Sequence, residues 1–379
     1  MLRSDAGRGG DLLALLLMGE QKFRAVPVFG LALLAPFCGE YLLGSITLHD
    51  LVNLPWLMPL YGAAALLVRE FVRGSGRGWP SILLLGAAFG AVLAGAVDAS
   101  MFDPDYAGYD LSGPVVPGID WNIYWGMAFI VTHAIYSIAL PIAIVEALSE
   151  RGGDHAPWMG QVGYWSTVAW LGGGFALIGA DSRTTEDYWP TLPQQGFTVM
   201  LALAFVALAY PGDNRLSRFS DRKFGTAGEE GGGELGKAER GVETGQSPGS
   251  RQADHTTGSA DRPTKLPSPV LTWLTASLVL LLFNVLPPTW LGATTGIVLA
   301  VGSFLVGVWL SRKPGWSEQH RLALAAAAIT VGAPFSFVVG DFTGFTDGVS
   351  LLGYGLFGLV AGALLLAGFR YQRREETAR

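Results

Sequence analysis

A single cysteine, Cys38, stands among the 379 residues. That excludes an internal disulfide and a cysteine-based metal site. Charge is scarce as well. Asp, Glu, Lys and Arg make up 15% of the chain, where soluble domains carry ~25%. The deficit is uneven: residues 213–267 hold nine basic and nine acidic residues, and the other 324 positions share 38. Signatures of chemistry are missing too. The chain has no Walker sequence, dinucleotide fingerprint, His-Glu-x-x-His or Gly-x-Ser-x-Gly. These absences exclude a water-soluble globule, a nucleic-acid binder and a disulfide-rich secreted module.

Apolar sequence is what the chain has in abundance. A bilayer core of ~30 Å needs ~20 apolar helical residues. Ten stretches meet that need: 25–46, 51–72, 79–100, 121–147, 161–180, 194–212, 268–287, 291–310, 320–340 and 348–369. Backbone groups in lipid must pair within their own segment, so these read as helices. Runs such as LALAFVALAY do not alternate apolar with polar residues, as barrel strands would. The expected fold is an all-α polytopic transmembrane helix bundle of about ten spans.

Positive charge gives the orientation. With the N-terminus inside, 24 of the 25 Lys and Arg residues fall in cytoplasmic segments and only Arg183 lies outside. The positive-inside rule then predicts N-in, C-in topology. Trp79, Trp121, Trp125, Trp158, Trp273, Trp290 and Trp316 lie at expected span ends, where indoles favour the headgroup level. Pro80 falls in the first turn of the third span, where its missing N–H costs nothing.

The expected organisation is a cytoplasmic segment 1–24, six membrane helices in 25–212, a linker 213–267, four helices in 268–369 and a cytoplasmic tail 370–379. The apolar stretch 12–18 is too short to span and lacks a cleavage site. It reads either as an interfacial helix or as untranslated sequence ahead of Met18. The linker carries ten glycines, both charge signs and few large apolar residues, a disordered composition.

Polar residues at membrane depth are costly and mark candidate sites. Glu40 follows Pro36, which is expected to loosen or break the first span; alternatively that span ends early and Glu40 reaches interfacial water. His133 lies mid-span with Phe129 and Ser137 on the same face at i, i+4 spacing. A structural hydrogen bond, a proton relay and a metal site are its alternatives. Asp98 reads either as a membrane carboxylate or as the start of the acidic loop 101–120. In that loop DPDYAG mimics the start of a calcium loop, but Ala107 and Pro114 stand where ligands are needed. Asn284 and Asp341 lie toward the same side. A polar cavity of Glu40, Asp98, His133, Ser137, Asn284 and Asp341 is therefore the candidate site. Catalytic residues, cofactor and metal are not expected. The expected partners are the lipid bilayer and a small solute or ion.

The stretches APFCGEYLLG, PLYGAAALLVRE, GRGWPSILLLGAAFG, FDPDY and HAIYSIALPIAIVEAL resemble an uncharacterised family of bacterial polytopic membrane proteins, over about residues 25–150. The resemblance implies a membrane location and no known activity. Arginine outnumbers lysine 20 to 5, which fits a bacterial source. Phe129 and His133 also match the Phe-x-x-x-His of the CAAX-processing and bacteriocin-immunity membrane proteases. That family's paired glutamates are absent, since AGAVDAS stands in their place. Three functions follow: a permease for a small solute; a structural, immunity or assembly protein; and a degenerate protease-like protein. The topology is checked by reporter fusions at positions 110 and 240, which should report opposite sides of the membrane. The same side at both would end the ten-span reading.

Overall fold

A computed structural model describes residues 23–149, 156–210 and 266–377. Apart from Phe23 and Arg24, the expected N-terminal segment lies outside those residues. So does the expected linker, apart from Leu266 and Pro267. The described chain is helical. Its principal rods are α1 (Ala25–Tyr41), α2 (Leu48–Gly74), α3 (Trp79–Val97), α4 (Ile123–Ser149) and α5 (Gln161–Glu186). They continue as α6 (Leu192–Ala209), α7 (Pro269–Asn284), α8 (Trp290–Ser311), α9 (Glu318–Thr343) and α10 (Gly348–Thr377). Seven of these, α2, α3, α4, α6, α8, α9 and α10, are long and apolar enough to cross a membrane. Helices α1 and α7 are apolar but shorter. Helix α5 runs 26 residues and carries Asp181, Arg183 and Glu186 in its last turns.

The sequence pattern runs the first span to residue 46, but α1 stops at Tyr41. The reason lies at Gly44, whose φ of +83° turns the chain. Gly44 N and Ser45 N close the helix end by donating to Tyr41 O and Glu40 O, at 3.2 and 3.1 Å. A Cβ on Gly44 would meet Ser336 O of α9 at 2.6 Å, so only glycine fits there. Leu42, Leu43 and Thr47 are buried, which places a short irregular segment inside the bundle. The loop after α3 holds a two-stranded hairpin, β1 (Val115–Val116) against β2 (Trp121–Asn122), which the helical pattern does not predict.

Helix α4 is the hub. It packs against α1, α2 and α3 on one side and against α8, α9 and α10 on the other. Leu31, Leu60, Ile82, Ile138 and Ile142 are completely buried at these contacts. The Gly-x-x-x-Gly pair of α3 serves this packing. A Cβ on Gly86 would lie 3.0 Å from Ala134 Cα, and one on Gly90 3.0 Å from Ile130 Cα. Large apolar side chains such as Val26, Leu291 and Leu359 point outward, 84%, 76% and 71% exposed. A surface this apolar suits lipid, not water.

One end of the bundle is locked by buried charge. Arg69 Nη1 donates to Glu70 Oε1 at 2.6 Å, and Arg69 Nε to Glu146 Oε1 at 3.2 Å. Arg73 grips the same Glu146 with two bonds, 2.8 and 2.6 Å. Glu70 in turn accepts from Trp158 N and Met159 N. The Trp158 ring lies under the Arg69 guanidinium at 3.7 Å. Trp158 is thus fully buried, which corrects its expected place at the headgroup level. This network ties α2, α4 and the entry to α5 together. Removing one member of a buried set strands its partners in low dielectric, at a cost of ~3–5 kcal/mol. Glu146→Ala should therefore lower the melting temperature in detergent far more than Glu318→Ala, whose pair with Arg321 is partly exposed. Equal losses would show that the network contributes no more than a surface pair.

Candidate functional site

Each of the first four helices contains one π-helical turn. They are Phe37–Tyr41 in α1, Met58–Gly62 in α2, Leu93–Val97 in α3 and His133–Ala139 in α4. Among the described residues there are no others. A π turn adds one residue to the ladder, and its i→i−5 bonds are visible directly. Leu42 N donates to Phe37 O at 2.9 Å, and Asp98 N to Leu93 O at 3.0 Å. Such turns are rare and concentrate at functional sites. Each extra residue swings the following side chains by ~100° about the helix axis. Pro36 therefore does not break α1; the helix continues past it and widens.

The π turns of α1, α2 and α4 carry four polar groups that meet, and Asp98 directly follows the apolar π turn of α3. Glu40 of α1 accepts a hydrogen bond from the Tyr61 hydroxyl of α2. The Tyr61 ring lies 5.9 Å from the His133 ring of α4, and Phe89 of α3 packs against both, at 5.9 and 6.1 Å. His133 Nδ1 shares a 3.0 Å hydrogen bond with Ser137 Oγ one turn on. The circuit closes at Gly39: a Cβ there would meet Ser137 Oγ at 2.5 Å. Helices α1 and α4 thus touch directly beside Glu40. The glycine run 172–174 has a place here as well. A Cβ on Gly174 of α5 would strike the Pro59–Leu60 backbone at 2.6 Å, immediately before Tyr61.

Asp98 ends α3 above this circuit, near enough to Glu40 and Tyr61 for their charges to interact. Its Oδ1 accepts from Ser100 N at 2.9 Å. Glu40, Asp98 and His133 are all half-buried, so each keeps part of its surface open despite its depth. Arg183 of α5 caps the same helix end, donating to Val97 O at 2.8 Å and Ala96 O at 2.6 Å. A guanidinium on the last carbonyls satisfies acceptors that the helix leaves open. Glu186 holds the acidic loop over the site by accepting from Ala107 N at 2.8 Å. Ala107 adopts a left-handed conformation there, φ 57°. Tyr106 is thereby set among carboxylates. Asp98 beside it, then burial, then Glu40, Glu186 and Asp103, hold its phenol well above the usual range.

No family model, curated protein or solved structure matches this chain. The site is therefore read from its geometry.

The structure gathers four of the six candidate residues, Glu40, Asp98, His133 and Ser137. Asn284 and Asp341 stand apart. Asn284 Nδ2 donates to Leu280 O of its own helix at 2.8 Å, and Asp341 is exposed at the end of α9. The loop aspartates satisfy local backbone: Asp103 Oδ1 accepts from Asp105 N, and Asp110 Oδ1 from Ser112 N. The Ser112 N–H and hydroxyl hold the Asp110 carboxyl below its ordinary range. Among the described residues no group of three or more His, Cys, Asp or Glu could hold a metal ion. Sequence reasoning missed Tyr61 and Tyr106. The only signal for Tyr61 was PLYG, a proline, a tyrosine and a glycine inside one apolar span.

The contact at Gly39 gives a test. Gly39→Ala should lower thermal stability in detergent, because its methyl group collides with Ser137 Oγ. Gly39→Ala combined with Ser137→Gly should recover most of that loss. A double variant no better than Gly39→Ala alone would place the strain elsewhere.

Proposed function

We propose that this chain is a ten-span protein of the bacterial inner membrane, with both ends cytoplasmic, that works as a permease for a small solute. The charge split supports the topology, since it leaves only Arg183 outside. Its guanidinium is satisfied by helix carbonyls. At 1.5 Å per residue, the 17 residues of α1 cover ~25 Å, close to the hydrocarbon thickness.

The observation that supports the permease reading is the convergence of three π turns, with Asp98 just after a fourth, on one polar cluster. A helix packed only for stability gains nothing from a widened turn with an acid beside it. Discontinuous helices around polar groups near mid-membrane are how transporters build solute sites. Helix α1 stops at Tyr41, directly after Glu40, and gives way to an irregular segment whose Leu42, Leu43 and Thr47 are buried. The acidic loop would close the external mouth, and the Arg69–Glu146 network would close the cytoplasmic end.

A structural or assembly role is favoured by one feature: Glu40 and His133 each have an internal partner. Uptake into proteoliposomes separates the two. A panel of labelled small amines, amino acids and carboxylates should show one class accumulating. Measured per folded protein, Glu40→Gln and His133→Ala should each cut that uptake by about tenfold or more. Uptake of nothing on the panel, together with a clear loss of stability in both variants, would favour the structural role.

A further inference from the structure

Where α7 and α9 begin, a buried histidine joins three segments of the chain. His320 stands in the first turn of α9 and is 6% exposed. Its Nδ1 lies 3.2 Å from Ser317 N and 2.9 Å from Ser317 Oγ. Its Nε2 lies 3.1 Å from Pro267 O, two residues before α7. The Trp316 ring, in the turn between α8 and α9, stacks on the imidazole with centroids 4.8 Å apart. Leu266 rests on the same turn, because a Cβ on Gly315 would lie 3.2 Å from its Cδ1. Gly315 has a φ of +95°, so a glycine is what both the turn and this contact call for.

The partners fix the protonation state of the ring. A backbone N–H can only donate, so Nδ1 accepts from Ser317 N and carries no proton. A carbonyl can only accept, so Nε2 carries the proton and donates it to Pro267 O. The arrangement therefore needs a neutral imidazole. A second proton, on Nδ1, would face the Ser317 N–H and remove one half of the capping box that starts α9. It would also set a poorly hydrated positive charge at the positive end of a helix.

The charged groups around His320 are engaged or exposed. Glu318 pairs with Arg321 on the same helix, and Lys313 of the preceding turn lies over the Trp309 ring. Helices α4, α7 and α10 pack against α9. Glu146 of α4 is held by Arg69 and Arg73. Arg370, Arg373 and Arg374 of α10 are exposed. Residues 266–284, which contain α7, include no Asp, Glu, Lys, Arg or His. The two carboxylates named here thus already have arginine partners.

We propose that His320 is a proton-released clasp: neutral, it fastens the start of α7 to the first turn of α9, and protonation lets the two part. Protonation and closure exclude one another, so the clasp is complete at high pH and opens as pH falls. A single proton allows the open-to-closed ratio to rise by up to about tenfold per pH unit. The clasp lies outside the polar cluster and acts whether or not that cluster binds a solute.

The test is the distance between two spin labels, read by electron resonance in the purified full chain in detergent. The labels sit at Val270→Cys on α7 and Leu324→Cys on α9, positions 63% and 41% exposed. Cys38 is buried and stays in place. At about pH 8 the labels should give one narrow distance, and at about pH 5.5 a longer, broader population should grow at its expense. His320→Gln keeps an acceptor for Ser317 N but gains no proton, so its distances should not move with pH. His320→Ala should show the broad population at both pH values. Distances that stay the same across this range with His320 in place would overturn the proposal. So would an equal pH response in His320→Gln, which would assign the change to another group. A narrow, pH-independent distance in His320→Ala would overturn it as well, since the ring would then fasten nothing.

Discussion

The hydrogen bond from Tyr61 to Glu40 is the constraint around which the membrane region is arranged. A carboxylate on an apolar helix is costly unless it faces a partner or water. To reach its partner, α1 must present Glu40 toward α2, and α2 must present Tyr61 toward α1. Both do so inside π turns. The backbones must also come close, and Gly39 against Ser137 and Gly174 against Pro59 supply that approach. The π turn of α4 brings His133 to the other side of the Tyr61 ring. The rare backbone geometry, the glycine contacts and the polar side chains thus answer one requirement.

The same helices carry two polar assemblies of opposite character. At one end Arg69, Arg73, Glu70 and Glu146 pair with each other at full burial. Their charges compensate, and little is left for a ligand to engage. At the other end Glu40, Asp98 and His133 are half-buried, and the loop after α3 is tied to α5 by the hydrogen bond from Ala107 N to Glu186. Tyr61 and Arg69 are eight residues apart on α2, ~12 Å along its axis.

Much of the fold was legible in the sequence because apolar length is a direct physical requirement of the bilayer. The starts and ends of α3, α4, α6, α8 and α9 fall within about three residues of the apolar stretches, inside the usual fraying of helix ends. Where the pattern failed, tertiary contact decided. The end of α1 is set by Gly44 meeting Ser336, two residues 292 positions apart, which no local pattern contains. The site was legible in part. Glu40, Asp98 and His133 stand out because charge is rare in apolar runs. Tyr61 did not, since tyrosine is ordinary in membrane helices until its hydroxyl has an acid to meet. The π turns have no composition of their own, and Glu146 looked like a residue at a span end until Arg69 and Arg73 closed on it. Asn284 shared the depth of the site residues but not their helices, and its own helix satisfies it.

The central claim is that Glu40 and Tyr61 are partners across α1 and α2. A double-mutant cycle in the full-length protein measures that partnership directly, using Glu40→Ala, Tyr61→Phe and the pair together, with reversible unfolding in detergent as the readout. Residues that share a buried charged hydrogen bond should show a coupling energy of ~1–3 kcal/mol. A coupling energy indistinguishable from zero, with both single variants folded, would contradict the account.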